Sequence, residues 1–388
     1  MKHGAAKIAL LLVSSALALE GGSYGYLTIR AQRGDIDRFV RGDLLPKYME
    51  FAKRVPAQIM IPHPRLGWYR AASITGMVGK NRYVTESDGA RQVPNASGPA
   101  LVSTYGDSFT EGLEVENDKT WPAQLSYRLG AMVRNYAVSG YGPDQALLNL
   151  EENLQKGRVT PIVILAFIPE NLNRLVSAFR PFYTYPRTDF VAFKPIFVEE
   201  EPGHFETKFF APAELSADAL VRAASEASVV DHWFTVNLTP RSEQPPRFPY
   251  FLALLEWLRH HDTAVTPSAP VLPPAPARAK RVMRHIISRL YEDSRKYSFI
   301  PVVVALPGDP LDFQNGINNL DEIFSERHEG LLYVDVSRHV SRRDTGYREM
   351  FGDTHYSEQA NAEVGAIVAE QIRPLLSDAK AHQGPRAR

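Results

Sequence analysis

Ser108 and His355 are the two residues whose types and settings suit a nucleophile and its base. Ser108 lies in Gly106-Asp107-Ser108-Phe109-Thr110-Glu111-Gly112, where the glycines permit a tight backbone around the hydroxyl. The pattern is not the Gly-x-Ser-x-Gly elbow of α/β-hydrolases. A serine hydroxyl needs a base to attack near neutral pH, and histidine titrates in that range. His355 stands in Gly352-Asp353-Thr354-His355-Tyr356-Ser357. A neighbouring carboxylate fixes an imidazole and stabilises the imidazolium that forms. Asp353 is the nearest acid in the chain. The same pieces also suit plainer ends: Gly-Asp-Ser marks a turn, and an Asp/His pair can serve as a turn and helix cap.

Other chemistries are poorly served. The 388 residues include no cysteine, which excludes disulfides, thiolate nucleophiles and Cys-type zinc sites. His260-His261-Asp262 is a weak metal candidate, because adjacent side chains on a helix point apart. Acyl transfer by serine needs no metal and no organic cofactor, and none is expected. Lys+Arg and Asp+Glu balance at 44 each, so no electrostatic argument favours nucleic acid as a partner.

The elements around the candidate residues show how they could meet. Ala100 to Tyr105 reads as a strand running into Gly106. Thr120 can cap a helix carrying Trp121, Leu125 and Leu129, with Pro122 in its first turn and Gly130 past its end. Met132 to Val138 is the next strand, Asp144 to Lys156 the next helix, and Pro161 to Phe167 a continuous apolar run suited to a strand buried on both faces. A helix over Lys280 to Tyr297, strands at Phe299 to Leu306 and Leu331 to Val336, and a helix over Glu358 to Ile372 resume the rhythm. This alternation predicts an α/β fold, a three-layer α/β/α arrangement with a parallel sheet. Ligands in such folds sit beyond the carboxyl ends of the strands. Ser108, Gly140 and Asn171 each follow a predicted strand, so three segments should converge on one edge.

Those segments carry a family resemblance. Gly106-Asp107-Ser108 with Gly112 resembles the first signature block of the SGNH/GDSL hydrolases. Asn135-Tyr136-Ala137-Val138-Ser139-Gly140-Tyr141-Gly142 resembles the second, whose glycine N–H serves the oxyanion; Gly140 is the first choice and Gly142 the alternative. Pro169-Glu170-Asn171 stands at the third block, where an asparagine side chain donates to the oxyanion, although the usual preceding Gly-x is missing. The 352–357 segment resembles the last block, with Asp-x-His in place of the commoner Asp-x-x-His. The resemblance covers roughly residues 99–180 and 280–375. It implies an SGNH-hydrolase-like, flavodoxin-like fold, a catalytic triad of Ser108, His355 and Asp353, and an oxyanion hole including Gly140 and Asn171. The run Asn171-Leu172-Asn173-Arg174, followed by Arg180-Pro181-Phe182-Tyr183, looks like a subgroup encoded with bacterial exopolysaccharide machinery. That implies an esterase or O-acyltransferase acting on acyl, chiefly acetyl, groups of a polysaccharide. The alternatives are a lipid esterase or thioesterase, and a carbohydrate-binding protein that keeps the fold without turnover.

Two regions lie outside the resemblance. Lys2 and Lys7 precede an apolar run from Ile8 to Leu19, and Ala16-Leu17-Ala18 offers a small-x-small pattern. Residues 1–30 therefore read as a signal peptide or N-terminal membrane anchor, with the rest exported to the periplasmic or extracellular side. Membrane contact is expected only through that segment. Residues 31–388 read as one domain, interrupted at about 180–280 by an insertion over the site. There Phe182, Tyr183 and Tyr185 offer flat faces to a sugar, and Arg174, Arg180 and Arg187 offer forks for carboxylates or hydroxyls. The plainer alternative is that the aromatics pack the insertion. Arg338, Arg342 and Arg343 suit a solvated face better than a binding site.

Overall fold

Six consecutive apolar residues, Ile162–Phe167, form the middle strand of a five-stranded parallel sheet. The computed structural model describes residues 13–27, 36–54, 59–94, 96–184, 190–237, 248–261, 276–308, 323–325, 328–339 and 354–377. In chain order the strands are β1 (Met60–His63), β2 (Gly67–Arg70), β3 (Thr75–Val78), β4 (Asn81–Val84), β5 (Ala100–Tyr105), β6 (Met132–Asn135), β7 (Ile162–Phe167), β8 (Ile196–Glu201), β9 (His204–Lys208), β10 (Ile300–Ala305) and β11 (Leu332–Asp335). The central sheet runs β11-β10-β7-β5-β6, and every neighbouring pair is parallel. Counting only these five strands, the order is 2-1-3-4-5, the flavodoxin-like winding. The chain reverses its winding between β5 and β7, so the crevice at that switch point lies where Ser108 and Asn171 leave the sheet.

Strand periodicity divides the core. Ile162, Ile164 and Ala166 point to one face, among Trp121 and Leu125 of the helix Trp121–Leu129 and Ala360, Val364 and Val368 of the helix Glu358–Ile372. Val163, Leu165 and Phe167 point to the other, among Leu147, Leu150 and Leu154 of the helix Pro143–Gln155 and Val282, Ile286 and Leu290 of the helix Ala277–Tyr297. The expected three layers are therefore present. The two helices of the first face cross closely: a Cβ at Gly365 would lie 2.7 Å from the Gln124 Cβ and 3.0 Å from the Trp121 carbonyl oxygen. The Asn361 side chain accepts the Trp121 N–H at 2.9 Å across that contact.

Before the sheet the chain makes two antiparallel hairpins, β1–β2 and β3–β4, which the sequence did not announce. The preceding helical stretch is broken, as Gly42 and Pro46 suggest. It runs as Ile36–Phe39, a wider turn at Val40–Leu44 and Leu45–Ala52. Proline has no N–H to donate to the fourth carbonyl back, and the register shifts there to an i→i−5 bond from Leu45 N–H to the Val40 carbonyl.

Residues after Phe179 build the β8–β9 hairpin and the helices Ala217–Val230 and His232–Asn237. Phe179, Phe182, Phe193, Phe197, Leu220 and Trp233 join the same core cluster as Leu165 and Phe167. Phe182 is fully buried, with its ring 5.1 Å from Phe179 and 4.9 Å from Phe234. Packing, not sugar stacking, accounts for it. Tyr183 stands edge-on to Trp233, and Tyr185 and Arg187 lie outside the described residues. Residues 13–27 are helical, and Glu20 accepts the N–H groups of Tyr250 and Phe251 at the start of the helix Tyr250–His261. Among the described residues no helix is long and apolar enough to cross a membrane; residues 1–12 are not among them.

Candidate active site

The nucleophile candidate sits where strand β5 ends. Gly106 makes the turn possible: a Cβ there would come within 2.6 Å of both the Ala166 carbonyl oxygen and the Thr110 hydroxyl. Asp107 then caps a single helical turn, Ser108–Glu111, by accepting the Phe109 N–H at 3.0 Å. Gly112 ends the turn with φ of 79°, the left-handed region that favours glycine, and a Cβ there would collide with Thr120. The two glycines of the first block thus hold the loop that presents Ser108.

Ser108 meets the candidate base His355 from the far end of the chain. The Ser108 Oγ and His355 Nε2 are 2.8 Å apart, within hydrogen-bond reach. The other ring nitrogen, Nδ1, lies 2.9 Å from Oε1 of Glu114. Glu114 also accepts the backbone N–H groups of Thr354 and His355, each at 3.2 Å, and the Thr354 hydroxyl at 2.6 Å. A carboxylate on Nδ1 fixes the tautomer that leaves Nε2 free to take the serine proton. Phe109 flanks the imidazole, its ring centroid 4.9 Å from that of His355.

Glu114 was not singled out from the sequence. It follows the first block by only two residues, among Glu111 and Glu116, and nothing in that acidic stretch distinguishes it. The αL turn at Gly112 supplies the missing information, since it redirects the chain beyond the nucleophile. Asp353, expected to orient His355, lies outside the described residues. Burial raises the Glu114 carboxyl, but hydrogen bonds from His355, the Thr354 hydroxyl and both backbone N–H groups outweigh it and bring it down to about 2.

A buried arginine holds this carboxylate-bearing segment in shape. Arg91 donates from Nη1 to the carbonyls of Glu111 (2.9 Å) and Gly112 (2.5 Å), and from Nη2 to Val115 (2.6 Å). Its Nε reaches the Asn117 side chain at 3.1 Å. The guanidinium lies over the Tyr83 ring at 4.6 Å, so the β3–β4 hairpin supports the turn from behind.

The second and third segments also arrive. Gly140 has φ of 81° and follows β6. Its loop is fastened to the sheet by the Val138 N–H on the Gly106 carbonyl (3.0 Å), and by Trp68 Nε1 on the Ser139 carbonyl (2.9 Å). Asn171 begins the short helix Asn171–Arg174 after β7 and is 1% exposed. Its Nδ2 donates to Asp107 Oδ2 and to Glu170 Oε2, both at 3.0 Å, so both amide hydrogens are already used. Burial raises the Asp107 carboxyl, opposed by the Arg174 cation and by the Asn171 amide. Donation to an oxyanion therefore requires one of these bonds to be exchanged. The Glu170 bond is the exchangeable one, because its side chain is 14% exposed and that of Asp107 is 1% exposed.

The two arginine candidates both border the Gly140 loop. Arg174 donates to the Tyr141 carbonyl at 2.9 Å and pairs with Glu170 at 2.8 Å, with Asp107 at 3.8 Å. Arg180 lies over the Phe190 ring, with Nη1 only 3.1 Å from where a Gly140 Cβ would be. Gly142 precedes the helix Pro143–Gln155, and its N–H meets the Gln145 side chain at 3.4 Å, a capping contact. Among the described residues no group of three or more His, Asp or Glu could hold a metal ion. Arg338 is an exposed partner of Asp335; Arg342 and Arg343 lie outside the described residues.

Replacing Asn171 by alanine is expected to lower kcat by roughly a hundredfold or more, the usual cost of one oxyanion donor. Steady-state kinetics on a p-nitrophenyl ester checks this, and a kcat within about twofold of the parent would show that Asn171 only holds Asp107.

Neither a family model nor a curated protein sequence matches the chain. Among solved structures, one from Desulfitobacterium hafniense DCB-2, described as belonging to the G-D-S-L family of lipolytic proteins, is similar over 70% of this chain and 99% of its own. The identity is 12% and the TM-score 0.36, a likeness that carries no argument about function.

Proposed function

We propose that this protein is an SGNH/GDSL-type serine esterase or O-acyltransferase working through an acyl-enzyme. The observation that supports it is the continuous line from Ser108 Oγ to His355 Nε2 and from His355 Nδ1 to Glu114, at 2.8 and 2.9 Å. In this mechanism Ser108 Oγ attacks the ester carbonyl carbon and His355 Nε2 takes its proton. The Ser108 and Gly140 N–H groups and the Asn171 amide hold the oxyanion. The tetrahedral adduct collapses, the C–O bond to the alcohol breaks, and His355 returns the proton to the leaving oxygen. Water, or a sugar hydroxyl, then attacks the acyl-enzyme with its proton passing to His355, and collapse gives that proton back to Ser108. Glu114 stays ionised throughout and steadies the imidazolium.

The substrate proposed is an acylated polysaccharide. Its support is the pair of guanidinium groups, Arg174 and Arg180, beside the Gly140 loop, which suit the hydroxyls or carboxylates of a sugar chain. The basic, apolar N-terminus, read as an export signal, agrees with this. Purified protein should be incubated with an acetylated polysaccharide and with long-chain lipid esters, and the released acid measured. Acetate release or transfer that disappears in Ser108→Ala is expected. Turnover confined to long-chain lipid esters would overturn the polysaccharide reading in favour of a lipase. Binding without any turnover would favour a carbohydrate-binding protein.

A further inference from the structure

Glu111 lies three residues after the nucleophile, at the end of the same helical turn, and is 1% exposed. Its carboxylate sits in a buried polar network of Ser139, Arg70 and Tyr83. Oε2 accepts both the backbone N–H and the hydroxyl of Ser139, each at 2.5 Å. The same oxygen is 2.6 Å from Arg70 Nη2, and both side chains are only 2% exposed. Oε1 accepts the Tyr83 hydroxyl at 2.9 Å. Arg70 donates in addition to the Ala137 carbonyl at 2.9 Å, so the cation is tied to the same loop as the anion.

Three separately encoded pieces therefore meet on one carboxylate: the nucleophile turn, the loop Ala137–Gly140, and the hairpin strands that carry Arg70 and Tyr83. A buried ion pair with several hydrogen bonds is costly to desolvate, and its most secure benefit is to fix one arrangement. What it fixes here is Ser139, held by the N–H of the Val138–Ser139 peptide and by its hydroxyl, and Ser139 directly precedes Gly140, whose N–H belongs to the proposed oxyanion hole. We infer that Glu111 is a positioning residue that sets the Gly140 N–H relative to Ser108, so that the oxyanion donor and the nucleophile move as one unit. The inference rests on the proposed acyl-transfer function and adds a residue to it. Glu111 touches no reacting atom. Its effect reaches the reaction through the placement of Ser139, whose carbonyl, bonded by Trp68 Nε1 at 2.9 Å, shares a peptide with the Gly140 N–H. The first block and the two residues after it consequently serve three purposes at intervals of three residues: Ser108 attacks, Glu111 places the oxyanion loop, and Glu114 orients the base.

The test compares Glu111→Gln, the charge-free pair Glu111→Gln with Arg70→Met, and Ser139→Ala, all in the full chain. Glu111→Gln keeps the shape but leaves Arg70 without its anion; the double variant removes that conflict. Ser139→Ala keeps the backbone N–H contact and serves as a control. Four quantities are measured: kcat and KM on a p-nitrophenyl ester, the inhibition constant of a boronic acid that forms a tetrahedral adduct on Ser108, and the thermal unfolding midpoint. In both Glu111 variants kcat should fall by roughly ten- to a hundredfold, part of the usual effect of a lost oxyanion donor. KM should move less than about threefold, and the boronic acid should weaken by about the same factor as kcat. Ser139→Ala should stay within about threefold of the parent in kcat, KM and boronic acid affinity. Folded Glu111 variants with unchanged kcat, or with reduced kcat and unchanged boronic acid affinity, would overturn the inference. Failure of both Glu111 variants to fold would assign the network to stability and overturn it equally. If the parent protein itself neither turns over esters nor binds the boronic acid, the proposed function fails, which is a separate outcome.

Discussion

Ser108→Ala is expected to lower kcat on an ester by about a millionfold, the scale seen when a triad serine is removed. A residual acceleration of about a thousandfold over water would remain from the oxyanion donors. The protein should stay folded. The alanine loses one hydrogen bond to His355, worth about 1 kcal/mol, and leaves no large void. The Gly106 and Gly112 turns, the Asp107 cap and the Arg91 cradle do not depend on the hydroxyl. Activity is measured by ester hydrolysis and folding by circular dichroism. A retained kcat in folded Ser108→Ala would place the chemistry elsewhere.

Glu114→Gln should have the second largest effect, a loss of about ten-thousandfold in kcat, because an amide on Nδ1 favours the wrong imidazole tautomer. Asp353→Asn, made in parallel, should change kcat far less if Glu114 is the orienting acid. The reverse ranking would return that role to Asp353. The pH profile gives a further check on the same residue. The Glu114 carboxyl is lowered from 4.5 to about 2 in the folded protein. A depressed carboxyl contributes stability that is present above its unfolded value and lost as pH falls toward the folded one. That contribution should therefore fade between about pH 4.5 and 2, below the range in which the base must be neutral. The acid limb of the activity profile should accordingly show no carboxylate break near 4.5.

Much of this architecture was legible because local signals agreed. Thr120, Pro122 and Gly130 bracket the helix Trp121–Leu129 in the sequence and in the structure, with Thr120 accepting the Ala123 N–H. The unbroken apolar run at Pro161 to Phe167 suits a strand covered on both faces, and Ile162–Phe167 is one. Since ligands collect at the carboxyl ends of such strands, Ser108, Gly140 and Asn171 could be placed together before any coordinates. The unannounced parts depend on long-range geometry. Glu114 meets His355 beyond the left-handed turn at Gly112, and a single acid among several carries no periodic mark. Arg70 and Tyr83 come from short hairpins of mixed composition and Arg91 from the segment after them, so their convergence on Glu111 and its neighbouring carbonyls has no trace in spacing. Phe182 shows the opposite failure: an aromatic beside a site looks like a binding surface, but it lies in the core.

The central claim is that Ser108 is a nucleophile activated by His355. The most direct measurement is covalent labelling of the full protein with a fluorophosphonate probe, followed by mass spectrometry of the proteolytic peptides. The adduct should fall on Ser108 alone, vanish in Ser108→Ala, and form much more slowly in His355→Ala and Glu114→Gln. An unlabelled Ser108 in protein that still hydrolyses esters, or a label on another residue that survives Ser108→Ala, would contradict it.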